Sequence, residues 1–101
     1  MTYQVLERRL TRGDHSTQPG GIALWKASGG MYAASHFSRD PGSFDPRCMF
    51  WTRYAPTEAE ARAAYDDKLS RASRYTGGGS LIPPHAESDE VRGEASGEMA
   101  A

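Results

Sequence analysis

All ten aromatic residues of this 101-residue chain lie between Tyr3 and Tyr75. That confinement limits the fold more than any other feature, because the chain has only nine Val, Ile and Leu residues. A core forms by removing apolar surface from water, and here rings and fourteen Ala must supply most of that surface. One small domain with a thin, aromatic core is expected. After Tyr75 the chain runs through Thr76-Gly77-Gly78-Gly79-Ser80, and beyond Pro83-Pro84 its only large apolar residues are Val91 and Met99. Such a stretch buries too little to offset its ordering entropy. The expected division is a compact domain over 1–76 and a flexible acidic tail over 77–101. Within that tail, Leu81-Ile82-Pro83-Pro84 has the means to dock back, since two prolines lower the entropy cost of an extended segment.

Charge divides at the same place. Residues 1–75 carry eleven Lys and Arg against eight Asp and Glu, and residues 76–101 carry one Arg against five acids. A body of +3 and a tail of −4 give the formal −1 of the whole chain. An acidic tail is suited to cover a basic surface or to keep the protein soluble. No run approaches the roughly 20 apolar residues of a membrane span, and Met1-Thr2-Tyr3 opens a polar segment, so neither a membrane partner nor a signal peptide is expected. A single Cys48 excludes an internal disulfide framework and fits a reducing compartment. Together these point to the cytoplasm.

The chain reads as four strands and a helix. Tyr3–Leu10 and Ile22–Lys26 are the first two strands, separated by a loop rich in Gly, Asp, Ser and Pro. Ser28-Gly29-Gly30 supplies the positive φ of a tight hairpin before a third strand, Met31–Ser38. After a loop over 39–47, Cys48–Tyr54 is the fourth. Pro56-Thr57-Glu58-Ala59-Glu60 then carries a capping box, Thr57 to Glu60, that starts a helix running to about Tyr75. Ala61, Tyr65, Leu69 and Ala72 form its apolar stripe. The expected fold is α+β: an antiparallel four-stranded meander, β-β-β-β-α, with one helix packed on one face. The uncovered face is where function is sought.

The fourth strand carries Phe50-Trp51-Thr52-Arg53-Tyr54. Strict alternation puts Phe50, Thr52 and Tyr54 on one side and Trp51 and Arg53 on the other. Trp25 and Tyr32 add rings from neighbouring strands, and Arg62 and Arg71 add charge from the helix. Trp, Tyr and Arg are the residues enriched in binding hot spots, so Trp25, Tyr32, Trp51, Arg53, Arg62 and Arg71 are the candidate partner-binding residues, although the same rings equally serve a core short of aliphatics. The same face could stack bases, and a nucleic-acid-binding accessory protein is the alternative. Against it stand the modest charge of the body, the acidic tail and the lack of an aromatic-glycine RNA-recognition signature.

Other chemistries find little support. His15, His36 and His85 lie in separate segments and Cys48 has no second thiol, so no metal site is expected. Gly77-Gly78-Gly79 follows a helix and is not a phosphate loop. Cys48 and His36 on adjacent strands could form a nucleophile and base, but such neighbours are common and nothing marks Cys48 as a thiolate. No catalytic residue and no cofactor is assigned. A free sheet face or edge leaves room for two copies to pair as a homodimer.

The segment Met31-Tyr32-Ala33-Ala34-Ser35-His36-Phe37, then Met49-Phe50-Trp51-Thr52-Arg53-Tyr54 and Pro56-Thr57-Glu58-Ala59-Glu60-Ala61, resembles small accessory proteins of phages and mobile elements, anti-CRISPR proteins among them. These are strand meanders followed by an Ala/Glu-rich helix, and the resemblance spans residues 3–75. It implies a non-enzymatic inhibitor that binds a host protein complex and occludes its surface. It transfers no individual residue. The body is not acidic, which argues against DNA mimicry.

Overall fold

The computed structural model describes residues 2–100, with side chains described through residue 95. Four strands, β1 (Tyr3–Thr11), β2 (Gly20–Ala27), β3 (Tyr32–Ser38) and β4 (Cys48–Ala55), form one antiparallel sheet in the order β1-β2-β3-β4. Helix α1 (Glu58–Ala72) follows, then a 3-10 turn (Pro84–Ala86) and helix α2 (Glu87–Ala100). The expected α+β meander is therefore present. Gly29 and Gly30 turn the β2–β3 hairpin at φ +93° and +87°, values that a residue with a Cβ rarely adopts.

Helix α1 begins at the Thr57 cap, whose hydroxyl accepts the Glu60 amide at 3.3 Å. The Glu60 carboxylate returns to that hydroxyl at 3.1 Å, not to the Thr57 amide. Ala61, Tyr65 and Ala72 are buried against Ile22, Leu24, Ala34 and Ala55, with Leu69 packed at the margin. The apolar stripe thus covers one sheet face. The helix stops at Ala72, three residues before Tyr75.

The opposite face is also covered, in part. The flexible-tail expectation for 77–101 is corrected over residues 79–95. Ile82 is fully buried and Val91 nearly so, in a cluster with Leu10, Ala23, Trp25, Ala33 and Phe37. Segment 79–82 runs along β1, with Arg12 donating to Ser80, Gly79 to Arg12 and Ile82 to Leu10 through the backbone. Helix α2 then presents Glu87, Glu90 and Glu94 on one side, at helical spacing. They meet Arg8 at 3.7 Å, Arg12 at 2.6 Å and Arg39 at 2.7 Å. The tail lacks apolar surface of its own, but its carboxylates neutralise arginines of the body, and two aliphatic side chains suffice to seat it. The meander thus carries a helix on each face.

Both edge strands are interrupted by bulges, at Leu6 in β1 and at Trp51-Thr52 in β4. Bulges blunt edges that would otherwise template pairing with another chain.

Candidate functional site

The β4 bulge organises the site. Ala34 pairs with Arg53 and His36 with Phe50, so Ser35 alone stands opposite both Trp51 and Thr52. One extra residue shifts the alternation. Phe50 and Arg53 therefore lie on the same face, the α1 side, opposite His36 and Ala34. Tyr54 falls on the other face, edge-on to Trp25 at 5.8 Å. This corrects the expected grouping of Phe50 with Tyr54 and of Arg53 away from Phe50. Trp51 sits in the bulge at φ +52°, the one non-glycine residue with positive φ among those described. A bulky side chain in that region carries backbone strain.

The strain projects the indole outward. Trp51 is 72% exposed, the most exposed large apolar residue described. Its ring stands edge-on to Phe50 at 5.0 Å and to His36 at 5.1 Å, and His36 stacks on Phe50 at 5.9 Å. Lys68 of α1 donates from Nζ to the Trp51 carbonyl at 2.9 Å, tying the helix to the bulge. Burial together with the Lys68 charge pushes the His36 imidazole down to about 4, so the ring is neutral near pH 7.

A cavity of about 1210 Å³ opens between this cluster and α1. His36, Phe50, Trp51 and Arg53 line its sheet side, and Ala63, Ala64, Lys68 and Arg71 its helix side. On the far face, Gly21 cannot carry a side chain, because a Cβ there would lie 2.2 Å from the Phe37 ring. Arg53 makes no ion pair among the described residues, whereas Arg71 meets Asp67 at 3.0 Å. Lys68 is held below its ordinary value by burial, then by the nearby Arg53 and Arg71 charges, with Asp67 opposing. Three cations thus converge on a ring-lined groove.

The candidate residues do not form one surface. Trp51, Arg53 and Arg71 come together at the groove. Tyr32 is half-buried beside α1, with Lys26 over its ring at 5.6 Å. Trp25 is buried on the far face, its indole donating to Ser35 Oγ at 2.9 Å. Arg62 turns to Glu7 and Glu58, at 3.1 and 3.5 Å. Sequence reasoning missed Lys68, His36 and Phe50 as members of the groove. The i, i+3 spacing of Lys68 and Arg71 was available as a signal; the bulge that brings them to β4 was not.

Among the described residues no group of His, Cys, Asp and Glu could hold a metal ion, and no helix is long and apolar enough to cross a membrane. Comparison with protein-family models, curated proteins and solved structures finds no significant match to this chain.

Proposed function

We propose that the chain is a non-enzymatic binding module that occludes the surface of a protein partner through the groove between α1 and β4. The observation that carries this reading is Trp51. A strained bulge holds a large indole in solvent beside Arg53, which lacks an ion-pair partner among the described residues. Neither arrangement favours the isolated fold much: the indole buries little beyond its edge contacts with Phe50 and His36, and positive φ costs about 1 kcal/mol or more. A Trp and an Arg at the centre of an interface are the residue types that dominate binding energy. The resemblance of residues 3–75 to accessory proteins of phages and mobile elements, anti-CRISPR proteins among them, gives the partner class as a host defence complex.

The test compares wild type with Trp51→Ala and Arg53→Glu, each first shown to keep its fold by circular dichroism. The immobilised chains are exposed to lysate of the native host. A protein retained by wild type and lost from both variants supports the reading. Equal retention by all three, or retention of nucleic acid alone, overturns it.

A further inference from the structure

We infer that the groove takes a short acidic segment of the partner, with an apolar side chain against Trp51 and carboxylates on Arg53 and Lys68. This rests on the protein-binding reading above and names the chemistry of what is bound.

Most arginines of the chain are matched by a carboxylate. Arg8, Arg12 and Arg39 are matched by Glu87, Glu90 and Glu94, Arg47 by Asp40, and Arg62 by Glu7 and Glu58. Arg9, Lys26 and Arg74 also make no ion pair among the described residues, but they do not line the groove; Arg53 and Lys68 do. Arg53 has no carboxylate within ion-pair distance among the described residues. Lys68 spends one donor on the Trp51 carbonyl, leaving two of its three N–H groups. Arg71 engages Asp67 through Nε, leaving its terminal nitrogens. Arg53 and Arg71 both act against the Lys68 charge, so an incoming carboxylate relieves a repulsion as well as forming a pair. Phe50, Trp51, Ala63 and Ala64 also line the groove and offer an apolar side chain a surface to cover.

A nucleic-acid strand fits this inventory less well. It brings a phosphate with every nucleotide and binds by neutralising many of them, whereas the groove offers two cations without an ion pair, Arg53 and Lys68, Arg71 being held by Asp67. A peptide with two carboxylates beside an aliphatic side chain matches that number.

The full chain, labelled with nitrogen-15, is titrated with four probes. These are a capped Glu-Asp-Leu repeat peptide, its Gln-Asn-Leu and Lys-Arg-Leu counterparts, and an oligothymidylate. The Trp51 indole cross-peak reports the groove, and the buried Trp25 indole is the internal control. The acidic peptide is expected to move the Trp51 peak saturably, to weaken as salt is raised, and to lose about tenfold in affinity in Arg53→Gln or Lys68→Gln. Equal binding of the neutral or basic peptide overturns the acidic inference and leaves the protein-binding reading standing. A response to oligothymidylate alone overturns both. No response to the acidic peptide overturns the inference.

Discussion

Glu94 grips Arg39 with both carboxylate oxygens, Oε2 on Nη1 at 2.7 Å and Oε1 on Nη2 at 2.9 Å, around a guanidinium that is fully buried. The remaining contacts of that guanidinium run to the carbonyls of Gly20, Ser43 and Thr11. Arg39 therefore joins the β1–β2 and β3–β4 connections to α2. Glu94→Ala leaves a buried cation without its counter-charge, which typically costs about 3 kcal/mol or more. Urea denaturation should show that loss. A change below about 0.5 kcal/mol, the usual size for a surface substitution, would show that α2 is not docked.

Ile82 makes an independent test of the same segment. It is fully buried among Leu10, Phe37 and Val91, so Ile82→Ala should destabilise by about 2–5 kcal/mol. Thermal unfolding reads it. A midpoint equal to that of wild type would restore the picture of a free tail.

How far the sequence could be read follows from the range of each determinant. Strand order, the hairpin at Gly29-Gly30 and the Thr57 cap depend on neighbours within a few residues, and all were legible. The stripe of Ala61, Tyr65, Leu69 and Ala72 was legible because its period is intrinsic to the helix. The α2 stripe of Glu87, Glu90, Val91 and Glu94 has the same period but is polar. Its value as a docking face depends on Arg8, Arg12 and Arg39, which are distant in the chain, so composition alone made it look solvated. The bulge at Trp51-Thr52 was invisible for a related reason. It is a property of β4 against β3, and once present it inverted the assignment of Arg53 relative to Phe50. The groove shares that fate, since Lys68 and His36 meet Trp51 only through the bulge.

Strain at Trp51 separates backbone from side chain. At φ +52°, glycine is tolerated and alanine is not. Trp51→Gly should be about 1 kcal/mol more stable than Trp51→Ala, by chemical denaturation of the two variants side by side. The reverse order would mean that the residue is not held in the left-handed region.

His36 gives the pH dependence. Its folded value, lowered to about 4, lies below the unfolded value of about 6.5, so the unfolded chain binds the proton more readily. Stability from neutral His36 is complete above about pH 6.5 and is lost as pH falls from there towards 4. Carboxylate pairs are lost over part of the same range, so the comparison is with His36→Asn. Between pH 7 and pH 4, wild type should lose about 2 kcal/mol more than the variant, the full shift of about 3 kcal/mol being reduced by solvent screening of a half-buried ring. Equal losses would show that His36 is as freely protonated in the fold as outside it.

Trp51 serves a partner more than the fold in the proposed reading. The most direct test is the affinity of the retained partner protein for wild type and for Trp51→Gly, by isothermal titration calorimetry, alongside their unfolding free energies. A loss of about 2 kcal/mol in binding is expected, roughly thirtyfold in Kd, with stability held at or above that of Trp51→Ala. Unchanged affinity in the glycine variant would contradict it.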